Sequence, residues 1–207
     1  MTADAKFWDR TAAKYALSPI KDQEAYEHTL EEARKYLSPT DSVLEVGCGT
    51  GSTALLLAPS VATLTASDIS GNMIEIAKEK AVARNVTNVD FVQAIPTDAK
   101  LASQPYDAVL GFNILHLLND RAGDLQVLHD RLKPGGFLIS KTPCLGDWNL
   151  LPLIRLAIPV MQFFGKAPYV SYLKGIELES QITAAGFEIV TADKHNSLSH
   201  FIVAKKV

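Results

Sequence analysis

Val43-Leu44-Glu45-Val46-Gly47-Cys48-Gly49-Thr50-Gly51 decides the fold of this chain. An apolar run carrying Glu45 leads into three glycines at alternate positions, and the helix-compatible run Ser52-Thr53-Ala54-Leu55-Leu56-Leu57-Ala58 follows. Glycine turns tightly and has no Cβ to hold a ligand off the backbone. Strand, glycine turn and helix in that order form the entrance to a nucleotide site in an open α/β sheet. The spacing narrows the choice of nucleotide. A dinucleotide fingerprint needs G-x-G-x-x-G, but here the third glycine arrives one residue early and Ser52 occupies the slot. A phosphate-cradling loop needs Lys-Ser/Thr after its last glycine, whereas Gly51 is followed by Ser52-Thr53. A glycine turn also serves plain strand–helix connections, so the rest of the chain has to specify the ligand.

Outward from the turn, strand and helix signals alternate. Tyr26, Leu30, Ala33 and Leu37 recur at helical steps within 21–37, and Pro39-Thr40-Asp41 breaks the pattern before a strand over 42–46. Strands are expected over 62–67, ending at Asp68, and over 89–93. Ser70 reads as the N-cap of a helix with Met73, Ile74, Ala77 and Ala81 on its inner face. Residues 106–112 read as a buried central strand, 120–132 as a helix stopped by Lys133-Pro134-Gly135-Gly136, and 137–141 as the fifth strand. A helix over 177–185 precedes strands over 188–193 and 199–204, joined by Lys194-His195-Asn196-Ser197. The expected fold class is α/β: a seven-stranded, mostly parallel sheet with one antiparallel strand in a C-terminal hairpin and helices on both faces.

Bulk properties exclude several classes. The 207 residues suit one domain over 1–207 with a full core. A net charge of −3 shows no basic face for a phosphate backbone, so nucleic acid is not an expected partner. Cys48 and Cys144 are too few for a disulfide framework; both read as free thiols beside the expected site, in a reducing compartment. The first residues lack an apolar signal core, and a cytoplasmic location follows as an expectation. The run 150–164 is very apolar, but it falls short of the roughly 20 residues of a membrane span. It also carries Pro152, Pro159 and Arg155, so stable membrane insertion is not expected.

Four runs, in order and spacing, resemble the motifs of the class I (Rossmann-like) S-adenosylmethionine-dependent methyltransferases of small-molecule type. They are Glu45-x-Gly47-x-Gly49-x-Gly51, Ser67-Asp68-Ile69-Ser70-Gly71-Asn72-Met73, Leu132-Lys133-Pro134-Gly135-Gly136-Phe137-Leu138 and Phe7-Trp8-Asp9-Arg10-Thr11-Ala12-Ala13-Lys14-Tyr15. The resemblance spans roughly Phe7 to Lys205 and implies a Rossmann-like fold. It also implies S-adenosyl-L-methionine as cofactor, with S-adenosyl-L-homocysteine as product. Asp68, 17 residues beyond Gly51, would grip the ribose, because a carboxylate accepts from both hydroxyls of a diol. Gly47, Cys48, Gly49 and Gly51 would lie along the cofactor, and Ile69 would pack on adenine. Met73 is a core residue or a ligand contact. Tyr15 belongs to a cap, within helices over 1–37, that closes over the cofactor. Glu45 either accepts from the cofactor's amino group, directly or through water, or caps the turn. Many relatives place an acid after the third strand to hold the adenine amino group. Here Ala94-Ile95-Pro96-Thr97-Asp98 displaces it, and Ala94 and Ile95 are expected to meet adenine through backbone and apolar surface.

The methyl acceptor is expected where the fourth strand ends, at Gly111-Phe112-Asn113-Ile114-Leu115-His116. Asn113 would contact the methionine part. His116 is the candidate general base, with a purely structural role as the alternative; His195 and His200 read as structural. His, Cys and acidic residues show no metal-ligand spacing, and no metal is expected. An acceptor-side insertion over 143–174 holds Trp148, Phe163, Phe164, Tyr169 and Tyr172. It reads as a lid over an apolar pocket, as a helix finishing the core, or as a shallow contact with a membrane surface or dimer partner. The expected function is in-line methyl transfer to a small, apolar or aromatic acceptor. Alternatives are a protein or lipid acceptor, or a non-catalytic cofactor-binding domain. Oligomeric state is not legible in the sequence.

Overall fold

In a computed structural model of the chain, the strand before the glycine turn, β1 (Ser42–Val46), runs through the middle of a seven-stranded sheet. The structure describes residues 2–102, 104–148, 151–196 and 199–207. The other strands are β2 (Thr63–Asp68), β3 (Val89–Gln93), β4 (Tyr106–Phe112), β5 (Leu132–Pro143), β6 (Phe187–Asn196) and β7 (Ser199–Lys206). Their order is β3-β2-β1-β4-β5-β7-β6. Neighbours pair in parallel except β7, which runs antiparallel to both β5 and β6. This is the sheet read from the sequence. The strand order reverses between β1 and β4, which opens a crevice at their carboxyl ends.

The central strands are mostly apolar because both faces are covered. Val43, Leu44, Val46, Ala108, Val109 and Leu110 are fully buried. On one face, Leu44 and Val109 pack with Leu125 and Leu128 of α5 (Arg121–Arg131) and with Leu178 and Ile182 of a later helix, Gly175–Ala184. On the other, Val43 and Leu110 pack with Leu30, Leu55 and Ile74. These come from α2 (Gln23–Arg34), α3 (Ser52–Leu57) and α4 (Gly71–Ala83), and α1 (Ala3–Ala16) precedes them. Helix α4 follows its local code. Ser70 Oγ accepts from Met73 N at 3.1 Å, a cap worth about 1 kcal/mol, and Met73, Ile74, Ala77 and Ala81 are buried.

Several boundaries differ from the sequence reading. Helix α5 ends just before Lys133-Pro134-Gly135-Gly136 as expected, but the run is not a separate turn: it lies inside β5, which starts at Leu132 rather than Phe137. Gly135 takes φ +79°, and the register against β4 shifts between Tyr106 and Ala108, so the expected turn is absorbed as a bulge. Lys133 Nζ fastens it to Asp107 at 2.7 Å. The helix expected from residue 177 starts at Gly175, because Glu177 Oε2 accepts from Lys174 N at 3.0 Å and closes its first turn. It is α7 (Gly175–Ala184), and α6 (Leu151–Phe163) precedes it. In the hairpin, β6 extends to Asn196; Ser197 and the side chain of His195 lie outside the described residues. Among the described residues no helix is long and apolar enough to cross a membrane.

Candidate active site

The glycine turn has the geometry its composition demands. Gly47, Gly49 and Gly51 take φ of +69°, +54° and +73°, which side chains rarely adopt. A Cβ on Gly47 would lie 2.6 Å from Ile114 Cγ1, so the bare backbone lets the end of β4 close against the turn. Gly51 N donates to Cys48 O at 3.0 Å, and Cys48 N to Ser67 O at 2.9 Å. Asp68, at the end of β2, completes the clamp: its Oδ2 accepts from Gly49 N and its Oδ1 from Ser70 N, both at 2.9 Å. Burial holds the Asp68 carboxyl above its ordinary range, with these backbone donors pulling the other way.

Glu45 faces the opposite problem. It is 2% exposed and its Oε2 has no hydrogen-bond partner. Burial, followed by the charge of Asp68, pushes its carboxyl from the ordinary 4.5 to about 8. The ligand-free protein therefore keeps a proton on Glu45 that the unfolded chain loses near pH 4.5. The stability this supplies is complete below that pH and is lost as pH rises through about 8. Thermal unfolding of the ligand-free protein between pH 5 and 8.5 should show falling stability, worth a few kcal/mol across the window. Glu45→Gln should flatten much of that slope. Parallel slopes for the two proteins would remove Glu45 as the cause.

Around these acids lies a cavity of about 930 Å³. Tyr15, Glu45, Gly47, Cys48, Gly49, Asp68, Ile69, Met73, Ala94, Ile95 and Asn113 all border it. Helix α1 bridges its mouth. Asp9 Oδ1 accepts from Ser70 Oγ at 2.6 Å and from Asn72 N at 3.2 Å. Asp4 Oδ1 accepts from Tyr169 N at 3.0 Å, and the Arg10 guanidinium donates to Gly165 O. Trp8 and Tyr15 of α1 meet edge to face at 6.4 Å, and both line the cavity. Asn113 takes φ +58°, a left-handed conformation rare outside glycine, and its N donates to Lys141 O at 2.7 Å. Strain of this kind concentrates at functional positions.

Of the catalytic and cofactor-binding residues named from the sequence, Gly51 and His116 do not border the cavity. Gly51 is buried beneath the turn, where a Cβ would lie 2.8 Å from Ala77 Cβ and from the Phe91 ring. His116 sits in the single turn Leu115–Leu117 while its neighbours Ile114 and Leu117 line the wall. Burial, then the charge of Arg121, lowers its imidazole to about 4, and its buried Nδ1 has no partner. Cys144 also departs from expectation, lying away from the cavity with Asp147 and His200, ligand atoms within 4.8 Å of one another. Asp147 Oδ2 accepts from Gly175 N at 2.9 Å and stands 3.3 Å from His200 Nε2, so this group ties β7 to α7.

Sequence reasoning missed Lys141 and Tyr26. Lys141 ends the parallel part of β5, its Nζ donating to Thr29 Oγ1 at 2.7 Å and Ala25 O at 3.2 Å, and desolvation lowers its pKa. A lone charge at the carboxyl end of an apolar strand was the available signal. Tyr26 OH lies 3.0 Å from Thr53 Oγ1 and read only as helix periodicity.

An unsatisfied buried acid, a second acid held by the turn itself, and flat apolar surface at Ile69, Met73 and Ala94 fit an adenosyl sulfonium cofactor. With the seven-stranded sheet and its single antiparallel strand, they define the Rossmann-like methyltransferase class. The chain belongs to the methyltransferase-domain family, whose model matches residues 20–192. It is 33% identical over 107 residues to the ubiquinone/menaquinone biosynthesis C-methyltransferase UbiE of Geotalea daltonii, covering 49% of this chain and 45% of that one. It is 27% identical over 188 residues to a demethylmenaquinone methyltransferase of Listeria monocytogenes, covering 80% and 78%. The chain spans less than half the length of the first of these, and only 4% of the equisetin synthetase of Fusarium heterosporum that it also matches. The [4+2]-cyclase SpnF shares the fold at TM-score 0.72 and 19% identity, covering 89% of this chain and 82% of that one.

Proposed function

We propose that the chain transfers a methyl group from S-adenosyl-L-methionine to a small, apolar or aromatic acceptor. One observation carries this reading: a single cavity joins Glu45, Asp68 and the glycine turn to a wall of Trp8, Ile20, Phe112, Leu117, Pro168 and Tyr169. When bound, the cofactor supplies an electrophilic methyl on a sulfonium. The protein's share is positional. Glu45 and the turn hold the methionine end, Asp68 holds the ribose, and Ile69, Met73, Ala94 and Ile95 take the adenine. The apolar wall seats the acceptor in line and excludes water. Alignment of this kind reaches effective molarities of about 10⁵ M. No proton is routed through His116, since an imidazole with pKa about 4, off the cavity wall, is a weak base at neutral pH.

The test is S-adenosyl-L-homocysteine release across a panel of apolar hydroxyl, thiol, amine and activated-carbon acceptors. Turnover on aromatic or lipophilic members, with charged members inert, is the expected result. A second reading, cofactor binding without methyl transfer, draws on the cyclase that shares this fold, because a fold by itself does not set the chemistry. Tight cofactor binding with no turnover on any acceptor would favour it.

A further inference from the structure

Helix α6 and the residue after it carry a row of exposed apolar side chains. Leu153, Leu156, Val160, Phe163 and Phe164 are 68%, 73%, 53%, 86% and 66% exposed. At helical spacing these five fall within an arc of about 100°. Among the described side chains of α6, Ile158 and Gln162, which project from the other side, are half-buried. The apolar stripe is therefore turned outward, where a contiguous patch marks an interaction surface.

Charge identifies the partner. Residues 148–176 contain Arg155, Lys166 and Lys174 and no Asp or Glu, in a chain whose net charge is −3. Arg155 lies 5.4 Å over the ring of Tyr172, which pins the helix to the body. We propose that α6 docks in the plane of an anionic lipid bilayer, its stripe among the acyl chains and Lys166, just past its C-terminal end, at the headgroups. A Leu- and Phe-rich face in a segment whose only charges are basic is the composition such interfacial helices use. A two-fold contact between copies through this stripe is an outcome the experiment separates, since it would form without lipid.

The docked helix has a consequence for the site. Pro168 and Tyr169 follow it directly and line the cavity, and Gly165 is bonded to Arg10 of α1. Docking thus sets the cavity's mouth against the lipid, where a lipophilic acceptor would enter without crossing water. Only this consequence rests on the proposed methyl transfer; the docking does not.

The experiment is co-sedimentation of the full chain with phosphatidylcholine vesicles, with and without phosphatidylglycerol, in the absence of cofactor and acceptor. The protein should pellet with the anionic vesicles and be released by raised salt. The double variant Leu156→Glu/Phe163→Glu should bind at least tenfold more weakly with its thermal unfolding unchanged, since both positions are exposed. Three results would each overturn the proposal: no binding to anionic vesicles, equal binding by the variant, or equal binding to vesicles without phosphatidylglycerol. So would a lipid-independent dimer in light scattering that the variant dissolves. Because no turnover is read, failure here leaves the methyl-transfer reading standing, and failure of the acceptor screen leaves the docking standing.

Discussion

Asp68→Ala is expected to weaken binding of S-adenosyl-L-methionine at least tenfold. Two losses combine in this substitution. A hydrogen bond to a charged acceptor is worth about 1.5–3 kcal/mol, and one such loss already exceeds the 1.4 kcal/mol that corresponds to tenfold. The same carboxylate also receives Gly49 N and Ser70 N, so its removal frees the turn that shapes the rest of the site. Each carboxylate oxygen spends one lone pair on the backbone and keeps another for a hydroxyl. Direct grip and turn support separate with a second ligand pair, 5′-methylthioadenosine and its 2′,3′-dideoxy analogue. The wild-type protein should prefer the hydroxylated form, and Asp68→Ala should bind both alike. Titration calorimetry showing unchanged affinity in the variant would sink the ribose assignment.

Gly51→Ala should lower the thermal midpoint well below that of Gly49→Ala. The added Cβ would meet Ala77 and Phe91 at 2.8 Å in a packed core, and the backbone stays at φ +73°. Overpacking costs about 1–3 kcal/mol and a left-handed non-glycine residue about 1–2 kcal/mol. Their sum corresponds to a drop of roughly 5–15 °C for a chain of this size. Gly49→Ala is the internal comparison. Its Cβ finds only Tyr15 Cε1, at 3.6 Å, so strain alone remains and the drop should be less than half as large. Equal midpoints for the two variants would show that packing beneath Gly51 is not what requires a glycine there.

That comparison also marks where sequence reading stops. Gly47, Gly49 and Gly51 look alike at alternate positions, and their shared need for positive φ is a local property. Which of them faces the cavity and which faces Phe91 depends on α4 and β3, elements distant in sequence. His116 shows the same limit. It follows Asn113 by three residues and so read as near the site, but the intervening turn leaves it off the cavity wall. The Lys133–Gly136 run read as a helix stop and turn because proline and glycine end helices, and α5 does end at Arg131. Opposite β4 the same residues form a bulge, which only a neighbouring strand can define.

The sequence by itself determined the alternating strands and helices, the closing antiparallel strand, the Ser70 cap and the order of turn, acid and helix. All of these rest on local dihedral preference, capping chemistry or the period of apolar residues. Tertiary structure decided what depends on surroundings. It buried Glu45 without a partner and pushed its carboxyl to about 8. It brought Lys141 to the cavity, and moved Cys144 away to Asp147 and His200. It also chose which side of α6 packs and which is left to solvent, because an apolar run carries its hydrophobicity in the sequence but acquires a direction only from what it lies against.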